Sequence, residues 1–210
     1  MRSWLFKVVL ISVATLGSVL THGFQANAQS LFLPVKTDVH GDVGRWDPCS
    51  AIEWKIGGIR NNKYFDERVR SSVNQLVQAT GLQFRCAGIA SAEETINAPL
   101  KTLVVSLVPQ LASSMVGGTT RLTYSQGINE SLVITGATVH INARITKGHL
   151  RKHLTPVLLH ELGHAVGLAH VDDASNIMYP RAIKQKKYTV ADVANFSVFG
   201  AVAGCHPVKN

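Results

Sequence analysis

The 210-residue sequence is poor in cysteine, in aromatic side chains and in acidic residues. It has three cysteines and no CxxC pair, so a cysteine-based zinc site is not supported. Charged residues make up 16% and apolar residues 46%, which excludes a disordered chain and leaves enough apolar side chain for a core. Internal repeats and low-complexity linkers are also missing, and the length fits one globular domain or a small pair of domains.

The shortage of acids leaves a formal net charge of +8, since 21 Lys and Arg oppose 13 Asp and Glu. Lys184, Lys186 and Lys187 form one short basic cluster, but no aromatic residues interleave it for base stacking. We therefore expect no nucleic-acid partner. The charge is interpreted as a source of solubility and of weak attraction to anionic surfaces.

The amino-terminal segment is typical of a secretory signal peptide. Arg2 and Lys7 precede a nearly unbroken apolar run over residues 8–20, and Ala26-Asn27-Ala28 is a small-x-small cleavage pattern. The alternative is a membrane anchor, but the run is shorter than the about 20 apolar residues that a span needs. We expect residues 1–28 to be removed, leaving a secreted chain of charge +6 that starts at Gln29 and is not inserted in a membrane. Residues 29–47 are interpreted as an irregular lead-in or short pro-segment before a catalytic domain over 48–210.

The first half of that domain has a strand–helix–strand pattern. Residues 51–56 alternate apolar and polar, apolar side chains recur at helical spacing over 65–79 with Gly81 as a stop, and strands are predicted over 82–86 and 103–108. This order predicts a right-handed βαβ unit and a mainly parallel sheet.

The second half is less regular. Residues 117–135 are predicted to hold an edge strand and long loops, and residues 137–143 a strand by alternation. A helix ends at Gly167; it starts either at Thr155-Pro156, as N-cap and first helical position, or near Gly148 with a bend at Pro156. A last helix is predicted over 189–202, with Val193, Phe196, Phe199 and Gly200 facing inward.

One segment of the sequence holds the candidate metal-binding and catalytic residues: His160-Glu161-Leu162-Gly163-His164-Ala165-Val166-Gly167-Leu168-Ala169-His170. Positions i and i+4 of a helix share one face, so His160 and His164 are placed to bind one metal ion, with Glu161 near enough to act on a water there. Gly167 can end the helix in a left-handed conformation and turn the chain, so that His170 returns as third ligand. Three protein ligands leave the fourth position of a zinc ion for water, as in catalytic zinc sites.

The pattern HExxHxxGxxH, followed by the methionine of Asn176-Ile177-Met178-Tyr179-Pro180, resembles the signature of metzincin zinc metallopeptidases. The amino-acid sequences of both segments are similar to those of matrixins and of small secreted bacterial relatives, and so is the opening Arg45-Trp46-Asp47-Pro48-Cys49. The resemblance extends from Trp46 to the C-terminus. One difference is Val171, which follows the third histidine where typical matrixins have Ser or Thr.

The resemblance implies an α+β or α/β fold of the zincin type, with a twisted, mostly parallel five-stranded sheet, an active-site helix and a C-terminal helix. Met178 would lie beneath the zinc ion as a hydrophobic floor. Tyr179 and Pro180 would begin one wall of the pocket for the residue after the scissile bond. An edge strand within residues 118–125 would bind an extended peptide by strand addition.

The predicted function is that of a secreted, monomeric, zinc-dependent endopeptidase, with one catalytic Zn²⁺ and Glu161 as general base for a zinc-activated water. Its partners would be protein or peptide substrates. Two alternatives stay open: a secreted zinc-binding adhesion or interaction module that does not cleave, and a zinc hydrolase of a non-peptide amide. Structural calcium cannot be read from the sequence.

The cysteines allow one geometric inference. If the strands near 51 and 82 are parallel neighbours, Cys49 starts one and Cys86 ends the other, beyond the about 7 Å limit for a disulfide. Cys49 with Cys205 is therefore the favoured pair, with Cys86 buried or free. Elsewhere, His149 and His153 are interpreted as a solvated face rather than a second metal site, and Asp172 and Asp173 as loop braces rather than cation ligands.

Overall fold

The computed structural model describes residues 41, 43–59, 61–113, 116–181, 184–205 and 207–208. The predicted signal peptide and most of the lead-in lie outside these residues. The described elements are the strands β1 to β5 and the helices α1 to α4, in the chain order β1 (Ile52–Gly58), α1 (Lys63–Thr80), β2 (Phe84–Ile89), α2 (Ala92–Ile96), β3 (Thr102–Val108), β4 (Gly118–Gln126), β5 (Leu132–Asn142), α3 (Leu154–Ala165) and α4 (Val190–Phe196).

The strands form one five-stranded sheet in the order β2-β1-β3-β5-β4. β1 is parallel to both β2 and β3, and β3 is parallel to β5. Only β4 runs antiparallel, along the outer side of β5. The predicted fold class, a mostly parallel five-stranded sheet with an active-site helix and a C-terminal helix, is confirmed.

Helix α1 connects β1 to its parallel neighbour β2, as the strand–helix–strand pattern predicts. The side chain of Asn62 accepts a hydrogen bond from the backbone N–H of Phe65 at the start of the helix, and Gly81 ends it with a φ of +69°. Val69, Val73 and Leu76 are buried on its inner face. The 3.6-residue spacing of these apolar side chains therefore specifies both the helix and the face that packs on the sheet.

β5 begins at Leu132, five positions before the predicted start at 137, and β2 begins at Phe84 rather than at 82. The early part of β5 pairs with β4 across a turn of 3₁₀ helix at Ile128–Glu130. Gly118, Ser125 and the threonines of residues 117–135 belong in fact to these two strands. Threonine is a good strand former, and backbone pairing overrides the weak strand preference of Gly118 and Ser125.

The start of the active-site helix differs from both sequence alternatives. A 3₁₀ segment covers Gly148–His153, and α3 follows directly from Leu154 with no side-chain cap at His153. Thr155 is therefore not the N-cap. Pro156 lies in the first helical turn, where its missing N–H has no intrahelical partner to lose, and it does not break the helix.

The C-terminal helix α4 is shorter than predicted, ending at Phe196. Thr189 is its N-cap, in a capping box with Asp192. Phe196 and Phe199 are fully buried, but Val193 is 40% exposed, so its predicted inward position is wrong. A 3₁₀ turn over Ala201–Ala203 lies where the helix is predicted to continue. It follows Gly200, where a Cβ would collide with the carbonyl group of Thr80.

The two ends of the domain are held together by a disulfide and by hydrogen bonds from Arg45. Cys49 and Cys205 form a disulfide with a Cα–Cα distance of 5.3 Å, and Cys86 is an exposed free thiol. Arg45 donates to the carbonyls of Ala203 and Gly204, at 3.1 and 2.9 Å. The buried indole of Trp46 donates to the carbonyl of Ala165 at 2.8 Å, which satisfies an acceptor at the end of α3.

Within the described ranges, we find no helix with both the length and the apolar character needed to cross a bilayer.

Candidate metal centre

Helix α3 presents His160 and His164 on one face, one turn apart. Their Nε2 atoms lie 3.2 Å from each other, and each lies 3.1 Å from Nε2 of His170. Three imidazole nitrogens thus converge on one point, with His160 buried, His164 half-buried and His170 exposed.

The return of His170 depends on the end of α3. Gly167 has a φ of +111°, and its N–H donates to the carbonyl of His164 at 2.9 Å. A Cβ at Gly167 would lie 2.7 Å from the carbonyl oxygen of Gly44 and 2.8 Å from the ring of Phe199. Both the backbone conformation and the crowding require glycine, and the resulting turn brings the chain back towards the imidazoles of α3.

Backbone carbonyls fix the tautomer of the two helical histidines. Nδ1 of His160 lies 2.8 Å from the carbonyl oxygen of Ile177, and Nδ1 of His164 lies 2.6 Å from that of Leu168. A carbonyl can only accept, so each Nδ1 carries the proton and each Nε2 directs a lone pair at the common point. Burial lowers the pKa of both His160 and His164 to about 4, which keeps the imidazoles neutral near pH 7.

This arrangement fits a zinc ion. Three nitrogens at about 2.0–2.1 Å from one tetrahedral ion lie about 3.3 Å apart, close to the spacing found here. Lone pairs that point at one another without a shared proton or cation repel, so the triad is arranged for a cation. The three side chains offer imidazole nitrogens, which suit zinc better than a hard cation such as calcium.

Glu161 lies beside the triad with its carboxyl group buried against β4. Its Oε2 is 2.7 Å from the hydroxyl of Thr120, which is also 3.0 Å from the backbone oxygen of Glu161. Gly118 provides the room, since a Cβ there would lie 2.6 Å from Cγ of Glu161. Burial raises the pKa of Glu161 to about 7, and the hydrogen bond from Thr120 opposes that rise.

The turn that follows the third histidine packs against α3. Met178 is buried, and its sulfur occupies the position that a Cβ on Gly163 of α3 would need. The side chain of Asn176 accepts from the N–H of Met178 at 2.8 Å, which fixes the turn. Asp192, also buried, accepts from the N–H of Ile177 at 3.2 Å, and the carbonyl of Ile177 in turn holds His160.

The imidazoles open into a cleft of about 1130 Å³. One side is β4, an edge strand of the sheet, where residues 118–122 line the cleft; the other includes Ile145, Leu150 and Val157. Pro180 lines the cleft as well, whereas Tyr179 is half-buried and is not among the lining residues. A cleft with an open edge strand and an apolar wall can accept an extended peptide.

The remaining predicted residues lie as follows. His153 is half-buried and lines the cleft, whereas His149 is exposed outside it. Asp173 accepts from the N–H and hydroxyl of Ser175, at 2.9 and 2.7 Å, and so braces the loop. Asp192 is buried and belongs to the capping box of α4, and it also contacts Ile177 beside the site. The spacing Thr189-x-x-Asp192 predicts the capping box but not the contact with Ile177.

Sequence reasoning missed Thr120, Gly118 and Asp192. Thr120 lies 41 positions from Glu161, and no local periodicity connects the two. A capping-box pattern could have identified Asp192 as a helix-start residue, but not its contact with Ile177.

A mostly parallel five-stranded sheet, an active-site helix with two histidines and a glycine turn that returns a third define the metzincin class of metallopeptidases. Residues 46–196 match the family model described as Matrixin, and the chain belongs to that family. Matrixins are zinc-dependent endopeptidases, which makes this protein a zinc metallopeptidase by family. A search among curated proteins finds no significant match.

Proposed function

We propose that this protein is a secreted endopeptidase in which His160, His164 and His170 bind the zinc ion and Glu161 is the general base. The observation that carries the proposal is the convergence of three Nε2 atoms, 3.1–3.2 Å apart, next to a buried carboxyl group in an open cleft. The family match over residues 46–196 supports a zinc peptidase. Within this proposal, residues 48–210 are the catalytic domain and Met178 is assigned to the floor of the site.

The bound zinc would supply a Lewis acid and lower the pKa of water towards about 7. The chain's own residues supply the rest. The edge of β4 holds the substrate extended by backbone hydrogen bonds, with Pro180 assigned to the pocket wall. Glu161 takes a proton from the attacking water at a carboxylate oxygen and gives it to the leaving amine, so one water is consumed for each peptide bond broken.

The hydroxyl of Thr120 suits both states of Glu161. When the carboxylate is ionised, the hydroxyl donates to Oε2 at 2.7 Å. When the carboxyl is protonated, it can donate to Thr120, and the hydroxyl proton can then turn to the backbone oxygen at 3.0 Å. A general base must exist in both states during each turnover, and this partner leaves neither state unsatisfied.

The direct test is hydrolysis of unfolded casein by the purified protein, with and without a zinc chelator. We expect cleavage that the chelator abolishes and added zinc restores. Glu161→Gln should retain zinc and lose roughly 10²- to 10⁴-fold in rate, whereas His164→Ala should lose the metal. Glu67→Gln, on the exposed side of α1, is the matched control. Zinc binding without cleavage would instead favour the non-proteolytic binding module.

Secretion has a separate test. Matrixins are generally extracellular, and the predicted signal peptide over residues 1–28 supports export of this one. Amino-terminal sequencing of the protein from culture medium should find a start near Gln29. A chain that retains Arg2 and Lys7 in the membrane fraction would contradict export as a cleaved protein.

A further inference from the structure

The residues that form the cleft come from a stretch with almost no negative charge. Between Glu94 and Glu161 the sequence contains a single acid, Glu130, but six Lys and Arg. Glu130 lies in the 3₁₀ turn at the far end of β4, whereas the cleft is at the end that begins with Gly118. Apart from Glu161, no described residue lining the cleft is acidic.

Four of these cations form what we call the basic wall, consisting of Arg144, Lys147, Arg151 and Lys152. All four are exposed. Arg144 lies on the 3₁₀ segment Ala143–Thr146, Arg151 and Lys152 lie on the 3₁₀ segment Gly148–His153, and Lys147 joins the two. Arg144 itself lines the cleft, together with Ile145, Leu150 and His153 of the same segments. The basic wall thus borders the cleft beside its apolar side.

Arg151 of the basic wall is held by the neutral side chain of Tyr64. The hydroxyl of Tyr64 donates to the carbonyl of Arg151 at 3.2 Å, and the Arg151 guanidinium carbon lies 3.8 Å from the centre of the Tyr64 ring. The side chain of Asn142 accepts from the N–H of Arg144 at 3.0 Å. A guanidinium on an aromatic face keeps its full charge, so the Tyr64 contact orients Arg151 without neutralising it.

The opposite side of the cleft is also cationic. Arg121 of β4 lines it, and its guanidinium donates to the backbone carbonyl of Ile96 and the side-chain oxygen of Asn97, both of them neutral. A chain lying along β4 would therefore have a fixed positive charge on each side. At an ionic strength of 0.1 M the screening length is about 10 Å, so charges that border one cleft act on the same ligand.

We propose that the cleft selects polypeptide segments with acidic side chains close to the scissile bond, which the basic wall and Arg121 attract. This inference rests on the proposed peptidase function. The apolar residues between the cationic borders, Leu122, Leu150 and Val157, fit an apolar side chain flanked by acids. A polypeptide is favoured over a nucleic acid because the basic wall borders the proposed catalytic cleft and carries no aromatic residues of its own for base stacking.

The test compares three quenched-fluorescence peptides that differ only in the residues flanking one apolar residue at the cleavage site: Glu, Gln or Lys. We expect kcat/KM to fall in that order, with a Glu to Lys ratio of at least ~10 at low salt that shrinks as salt is added. The double variant Lys147→Gln, Lys152→Gln should reduce the ratio several-fold.

The matched control is Arg85→Gln on β2 with Lys101→Gln just before β3, which removes the same net charge away from the two 3₁₀ segments that border the cleft. It should leave the Glu to Lys ratio as in the parent protein. Equal kcat/KM for all three peptides, or an equal effect of the two double variants, would overturn the inference while leaving the peptidase in place. Failure to cleave any of the three, or casein, would instead count against the proposed function itself.

Discussion

The hydroxyl oxygen of Thr120 lies 2.7 Å from Oε2 of Glu161 and connects the edge strand β4 to the active-site helix α3. The strand on which a peptide would lie and the proposed general base are thus held by one side chain. Gly118, two positions earlier on the same strand, leaves the space that the Glu161 side chain occupies. The position of the carboxyl group is therefore set by β4 as much as by its own helix.

We predict that Thr120→Val lowers kcat roughly 10- to 100-fold without loss of zinc, because a hydrogen bond to an ionised group stabilises it by about 1.5–3 kcal/mol. Since the Thr120 hydroxyl lowers the pKa of Glu161, its removal should also move the acid limb of the pH–kcat/KM profile to higher pH. Thr120→Ser should restore both. Thr123→Val, at an exposed position of β4, is the control. An unshifted limb with reduced kcat would indicate a packing role only.

Asp192 should affect the metal through Ile177. We predict that Asp192→Ala weakens zinc binding about 10- to 100-fold, as expected when a group that orients a metal ligand is removed. The carbonyl of Ile177 would then hold His160 less firmly. The measurement is zinc competition with a chromophoric chelator.

Thr189→Ala separates this effect from helix capping. It removes the hydroxyl that caps α4 but keeps the Asp192 contact with Ile177. It should lower stability by about 1 kcal/mol and leave zinc affinity unchanged. Equal loss of affinity in the two variants would mean that the cap, and not the Ile177 contact, supports the site.

How much of this site could be read from the sequence depends on distance along the chain. His160 and His164 are one helical turn apart, and Gly167 and His170 follow directly, so local geometry alone brings them near one another. The parallel sheet could be predicted in the same way from β1, α1 and β2. The contact between Thr120 and Glu161, which are far apart in sequence, depends on how the elements pack and has no local signature. The same holds for the exposure of Val193, which its helical spacing does not predict.

Gly167 and Gly148 both have positive φ, +111° and +50°, and form a matched pair. A Cβ at Gly148 meets nothing within 4 Å, whereas at Gly167 it would collide with the backbone of Gly44. Gly148→Ala should therefore cost only about 1 kcal/mol of backbone strain, and Gly167→Ala about 3 kcal/mol or more, with weaker zinc binding. Urea unfolding with and without zinc measures both; similar losses in the two variants would contradict the role given to Gly167.

The buried titratable groups predict how acid affects the zinc-free protein. Burial lowers the pKa of His160 and His164 to about 4, against about 6.5 in the unfolded chain. Between those values the unfolded chain binds two protons that the folded protein excludes, so stability falls as pH falls. Burial raises the pKa of Glu161 to about 7, so over about pH 4.5 to 6.5 the folded protein holds one proton that the unfolded chain lacks. Glu161 therefore opposes the two histidines.

Replacing Glu161 by Gln removes that opposition. In chelator-treated protein we expect the unfolding free energy of Glu161→Gln to fall more steeply than that of the parent between pH 6.5 and 4.5, by up to about 1.4 kcal/mol per pH unit. Urea titrations at several pH values measure the slopes, with the exposed Glu67→Gln as control. Parallel curves for the parent and Glu161→Gln would show that the carboxyl is already ionised throughout this range, and that burial does not hold its proton.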